Sequence, residues 1–297
     1  MKVAVVTGAN RGLGLALVEG LCRALGSGAA VYLTARDVQR GEAAAESLRA
    51  RGLAPRFHAL DVCSDASVQA FAEFVRTRHG GIDIVIANHT AGMRPGRQQE
   101  DVAGYIETNN HGNYRLMRTL VPLLRDGARY VVVASAHGVL RGHTDPSHPR
   151  MKVIADLFGA NWTLDARHHA RFDPRSVSLE AIEAAMDEYV GLARRGVAAR
   201  EGWPDWINIP SKIAQVAAVK VLARDLEEQA RRRDWLVNAV DPGFIDTESP
   251  RAIGMDTSVA QSPAQAAVDV LWLATLPPGT RAPYGELVQH RRVIPYQ

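Results

Sequence analysis

The sequence predicts an α/β protein built on a doubly wound parallel sheet, and three observations carry that expectation. Short, β-rich apolar runs alternate with longer segments of helical period along the chain, the pattern of a parallel sheet covered by helices on both faces. The first run closes on a glycine-rich turn, Thr7-Gly8-Ala9-Asn10-Arg11-Gly12-Leu13-Gly14, which opens the first helical segment. The 297 residues, 46% of them hydrophobic, suffice for one full core, so a single domain is expected over residues 1–297.

Seven strands are expected: Lys2 to Thr7, Ala30 to Ala35, Pro55 to Leu60, Asp83 to Asn88, Ala128 to Ala134, Trp235 to Val240 and Gly285 to Val288. Helical periodicity fills the intervals at Leu13 to Leu25, Arg40 to Arg51, Ser67 to His79, Tyr105 to Leu124 and Ile213 to Ala230. One interval breaks the rhythm. Between Ser135 and Asn208 lie 72 residues without a strand signal, against the roughly two to six residues usual for connections in such folds. We expect an insertion at about residues 137–204, set over the substrate pocket. Its first part, to Phe172, is polar and rich in His, Arg and Pro. Ile182, Met186, Tyr189, Val190 and Ala193 give its second part helical spacing, with Ser178 as the N-cap. Leu157, Phe158 and Trp162 are expected to form a satellite core or a pocket wall.

The charge pattern excludes some functions. The net charge of +3 comes from 35 basic residues scattered among 32 acidic ones, which gives no footprint for nucleic acid. No apolar run approaches the ~20 residues of a membrane span. Cys22 and Cys63 stand apart and read as reduced core residues. With no export signal after Met1, a cytoplasmic protein is expected. No histidine or cysteine pair has convincing metal-ligand spacing, so no metal is expected.

The chemistry begins at the glycine turn. A turn that leaves a strand and enters a helix brings backbone amides and the positive end of the helix dipole to one point, where a pyrophosphate can sit. Gly8, Asn10, Arg11, Gly12, Leu13 and Gly14 are therefore expected to hold a dinucleotide in a Rossmann-type fold. At the end of the second strand Arg36 occupies the place where an acidic residue would bind an unphosphorylated ribose. With Arg11 and Arg40 it can clasp a 2′-phosphate, so NADP(H) is the expected cofactor. Asp37, one position later, would suit the unphosphorylated dinucleotide. Asp61 and Val62 fall where the adenine ring would pack.

Taken together, T-G-A-N-R-G-L-G, L-T-A-R-D-V-Q-R-G after the second strand, T-N-N-H-G from Thr108, E-G-W-P from Glu201, N-A-V-D-P-G-F from Asn238 and L-P-P-G from Leu276 resemble the short-chain dehydrogenase/reductase family. The likeness is to its carbonyl reductase branch and covers all but about His143 to Arg171. It implies reduction of a carbonyl in a small metabolite by an Asn-Ser-Tyr-Lys site. There tyrosine gives a proton, lysine lowers the phenol's pKa and binds ribose, serine holds the substrate oxygen, and asparagine keeps a relay water. Carried over by position, Asn109 matches the asparagine, Ser135 the serine and Lys212 the lysine. The tyrosine position is Asn208. The resemblance also implies that Asn88, Pro242, Gly243 and Ile245 border the cofactor, and that an insertion ahead of the lysine helix leaves a monomer.

Two departures matter. A carboxamide hydrogen-bonds but does not titrate, so Asn208 cannot act as the phenol would. Replacement proton sources are water relayed through Asn109 and Lys212, or a histidine: His111, His137, His143, His148, His168 or His169. Secondly, Asn88-His89-Thr90-Ala91-Gly92 stands where the family has N-N-A-G. Conjugate reduction fits the altered site, because hydride goes to carbon and the enolate then needs donors. Two other readings stay open: a non-redox isomerase, epimerase, dehydratase or cyclase, and a protein that binds NADP(H) without catalysis.

Overall fold

The computed structural model describes residues 1–140 and 149–297; His143 and His148 lie outside them. Among the described residues, eight strands form one sheet in the order β3-β2-β1-β4-β5-β6-β7-β8. They are β1 (Val3–Val6), β2 (Ala30–Ala35), β3 (Pro55–Ala59), β4 (Ile82–Ala87), β5 (Leu124–Val133), β6 (Leu236–Val240), β7 (Leu287–Gln289) and β8 (Arg292–Ile294). All neighbours run parallel except β7 and β8. The expected count of seven is thus one short. The missed strand pairs only three residues, Ile294, Val293 and Arg292, against β7, and Arg292 and Val293 are exposed, so no apolar alternation announces it.

Alternate residues of the central strands feed two cores. Val3 and Val5 face one, Ala4 and Val6 the other, as the two-residue period of a strand requires. On the second face α1 (Gly12–Leu25) packs on α10 (Pro263–Ala274). The contact is close enough that a Cβ on Gly20 would meet Leu271 Cδ1 at 2.2 Å. The other face carries α3 (Asp65–His79), α5 (Gly112–Leu120) and α8 (Asn208–Arg233). Pro210 falls in the first turn of α8, where its missing N–H costs nothing. α2 (Val38–Arg49) lies beside β3 and β2.

The segment expected as one helix over Tyr105 to Leu124 is broken into α4 (Gln98–Ile106), a π-helical turn at Glu107–His111 and α5. Such single widened turns concentrate at functional sites. Between β5 and α8 come α6 (Pro149–Phe158) and α7 (Leu179–Arg194). Ser178 caps α7, its side chain accepting from Ala181 N. Trp203, fully buried, is the hub of this region: its ring lies 4.6 Å from His168, 4.7 Å from Tyr189 and 6.0 Å from Phe172. Trp203→Ala is expected to lower stability by about 3–5 kcal/mol, measured as a shift in the denaturation midpoint. Phe158 stacks on Trp206 at 5.8 Å, and both belong to the main core. The expected satellite core is therefore continuous with that of the sheet. No helix among the described residues is long and apolar enough to cross a membrane.

Candidate active site

A cleft of about 1110 Å³ opens at the carboxyl ends of the strands, where β1 and β4 diverge in connection. This is the topological switch point at which open α/β sheets bind ligands. Gly8, Asn10, Arg11, Gly12, Leu13 and Gly14 form its floor, and Arg36, Asp37 and Arg40 one end. Gly8 and Gly12 adopt φ of 60° and 54°, in the left-handed region that favours glycine. At Gly14 the constraint is space: a Cβ would meet Gly8 O at 2.5 Å and Ala9 Cα at 2.7 Å. Backbone on both sides cannot yield, so Gly14→Ala should distort the turn and abolish dinucleotide binding, read by fluorescence titration. The N-cap of α1, Arg11, makes no side-chain cap, which leaves the first amides of the helix available to an anion.

The three arginines differ in their surroundings. Arg36 has no ion pair among the described residues, whereas Arg40 Nε lies 3.4 Å from Asp37 Oδ2. Arg11 pairs with Glu248, at the start of α9 (Glu248–Ala252), instead of standing free for a phosphate. Both partners are exposed, and exposed pairs are worth at most about 1 kcal/mol, so an anion can compete. Asp61, Val62 and Cys63 line the cleft after β3. Cys63, a free thiol, is only half-buried and packs against the main core from its edge, whereas Cys22 is buried within the other core. Burial pushes the Cys63 thiol pKa up.

Thr7 organises the centre. Its hydroxyl accepts from Asn88 N at 3.0 Å and His89 N at 3.2 Å, so its own proton goes to His89 Nδ1 at 2.8 Å. His89 is thereby a neutral imidazole, and burial, followed by the nearby Lys212 charge, lowers its pKa to about 4. The unfolded chain binds this proton near pH 6.5 and the folded chain only near 4. Stability should therefore fall as the pH drops between those values. Thermal melting across that window should show the loss, and His89→Asn should flatten it.

Lys212 borders the same cleft, 9% exposed, and its amine has no hydrogen bond or ion pair among the described residues. Burial pulls its pKa down to about 8, against an opposing pull from Asp241. Asp241 is itself held by Gly243 N at 2.9 Å and Gln289 Nε2 at 2.6 Å. Pro242 and Ile245 front the cleft, while Gly243 makes the turn behind them at φ 79°.

Asn109, Ser135 and Asn208 lie beside the cleft, next to its lining residues Thr108, Ala134, Tyr105 and Lys212, and are not themselves part of the lining. Ser135, half-buried, accepts from His137 N at 3.2 Å. Asn109 sits fully buried in the π-helical turn, its Oδ1 accepting from Ala91 N at 2.9 Å. Its main-chain oxygen accepts from Asn113 Nδ2 at 2.6 Å and Gln215 Nε2 at 2.7 Å. Both lone pairs of that carbonyl are taken, so it has no acceptor for a relay water. Asn208 Oδ1 accepts from the Tyr105 hydroxyl at 2.7 Å. Sequence reading missed Tyr105, Asn113 and Gln215; the available signal was spacing, since Tyr105 and Asn113 lie one helical turn either side of Asn109. His111 turns away, its Nε2 3.0 Å from Asp187 Oδ1. His168 and His169 bond to the carbonyls of Glu201 and Leu164.

A family model described as short chain dehydrogenase matches residues 2–147. Carbonyl reductase (NADPH) 1 of Homo sapiens is 34% identical over 300 residues, covering 99% of this chain and 98% of the relative. The chain belongs to the short-chain dehydrogenase/reductase family. Within it the likeness is to the carbonyl reductases; the Mus musculus protein of the same name is 32% identical over 301 residues, at 99% and 98% coverage. Among solved structures, salutaridine reductase from Papaver somniferum superposes with a TM-score of 0.77 at 23% identity, covering 97% of this chain and 99% of that one. Menthone neomenthol reductase from Mentha piperita gives 0.72 at 23% identity, with coverage of 97% and 98%. Both show that this short-chain dehydrogenase/reductase shares their fold.

Proposed function

We propose that the protein is an NADP(H)-dependent oxidoreductase that reduces a carbonyl or conjugated carbonyl of a small metabolite without the family's catalytic tyrosine. One observation carries the reading: a single cleft runs from an uncapped helix N-terminus and an unpaired Arg36 to the buried amine of Lys212. The named relatives are NADPH carbonyl reductases. Bound NADPH would supply hydride to the substrate carbon.

The chain's own residues then divide the work. The glycine turn and α1 amides hold the pyrophosphate, Arg36 the 2′-phosphate, and Lys212 the ribose next to the reacting ring. Asn208 and Ser135, set beside the lining residues Lys212 and Ala134, would offer hydrogen bonds to the oxygen that becomes negative once a substrate is seated against them. Lys212, with a pKa of about 8, carries a proton at neutral pH and gives it up readily. It takes the place of a tyrosine as the proton source, while the neutral His89 beside it does not. An enone suits this division, because the enolate needs donors at once and its proton only later.

Titration of tryptophan fluorescence with NADPH and NADH tests the cofactor half. NADPH should bind more tightly, and Arg36→Ala should weaken it by about ten- to hundredfold while leaving NADH unchanged. Equal affinities in the parent would remove the assignment.

A further inference from the structure

The Tyr105 hydroxyl fixes which way the Asn208 amide faces. A backbone N–H only donates, so the bond from Ala91 N identifies the Asn109 oxygen and puts its Nδ2 on the opposite side. That Nδ2 has no hydrogen-bond partner among the described residues, and as an NH₂ it offers the Tyr105 phenol no acceptor. Burial pushes the Tyr105 pKa up, so the hydroxyl keeps its proton. The acceptor for that proton is Asn208 Oδ1 at 2.7 Å. With the Asn208 amide reversed, its NH₂ would face the phenol oxygen and leave the buried hydroxyl proton unpaired, at a cost of about 1–3 kcal/mol.

We propose that Tyr105 is a positioning residue: it locks the Asn208 amide with its oxygen held inward, so that NH₂ is the only group Asn208 can offer a ligand. A free carboxamide serves hydroxyl and carbonyl alike by flipping. A locked one only donates, which satisfies a ketone, enone or enolate oxygen, whereas the corresponding alcohol can accept from it but finds no acceptor there for its own proton. The first residue of α8 thereby becomes a specificity element that binds the carbonyl form more tightly than the alcohol form, without altering the reaction's equilibrium. The kinetic part of this inference rests on the reductase reading above; the orientation does not.

The orientation is read directly in full-length protein labelled with ¹⁵N-asparagine, the Asn208 side-chain pair being the one that vanishes in Asn208→Ala. In Tyr105→Phe that pair should shift, while that of Asn238, bonded to the carbonyl of Pro283, stays in place. Thermal melting and NADPH titration verify that the variant is folded. With a carbonyl substrate, Tyr105→Phe should lower kcat about tenfold with little change in KM, and should have no further effect in an Asn208→Ala background. Asn208→Asp keeps the bond to Tyr105 but replaces the donor by an acceptor, and should lose reduction at least as far as Asn208→Ala. An unmoved Asn208 pair in Tyr105→Phe, an equal loss in both backgrounds, or full activity in Asn208→Asp would overturn the proposal. If the parent reduces no carbonyl with NADPH, the reductase reading falls and the resonances alone decide the lock.

Discussion

Lys212→Met is expected to raise thermal stability and to lower carbonyl reduction about 10²–10⁴-fold, the usual contribution of positioned acid–base help. The two effects have opposite signs for one reason. In the fold the amine has a pKa of about 8 against an ordinary 10.5, so the unfolded chain holds its proton more tightly. Below pH 8 the folded protein bears the whole cost of burying the charge, and as the pH rises toward 10.5 that cost is relieved. Methionine fills the space without the charge and removes the cost, at the expense of the proton. In the parent, the same titration should make reduction decline as the pH passes about 8, because the ammonium form is lost. A variant that melts lower would contradict the cost of burying the charge, and a rate that keeps climbing above that pH would show that Lys212 is not the proton source.

The second large effect concerns the position four residues before Lys212. Asn208→Tyr alone should change selectivity among carbonyls more than it raises rate. The Tyr105 hydroxyl lies 2.7 Å from the Asn208 amide oxygen, and Asn208 is 8% exposed, so a second phenol has no room to reach the cleft. Asn208→Tyr combined with Tyr105→Ala opens that volume and should raise ketone reduction about 10²–10⁴-fold over the single variant. Initial rates on matched ketones and enones distinguish the cases, since an enone needs the restored phenol less. A full rescue by Asn208→Tyr alone would mean that Tyr105 does not occupy the space.

Much of this was legible in the chain. Strand positions followed from β-rich runs such as Ala30–Ala35, buried throughout. The glycine turn announced itself because positive φ at Gly8 and Gly12 and the crowding at Gly14 leave no other residue type comfortable there. Ser178 as an N-cap was readable for a similar local reason. What escaped was set by tertiary contact. β8 forms because its three residues find β7, not because they alternate. The π-helical turn at Glu107–His111 carries no periodic mark distinct from the helices around it. The use of both lone pairs of the Asn109 carbonyl depends on Gln215 arriving from α8, and the Tyr105–Asn208 bond joins residues 103 apart in sequence. The pairing of Arg11 with Glu248 likewise joins distant segments.

The most direct test of the whole account is to incubate the protein with NADPH and a panel of ketones, quinones and enones, and to compare cofactor oxidised with product formed. We expect one reduced product for each NADPH consumed, with enones favoured and the reaction lost in Lys212→Met. Conversion of a substrate with no net consumption of NADPH would contradict the account and place the protein among the non-redox members of its fold.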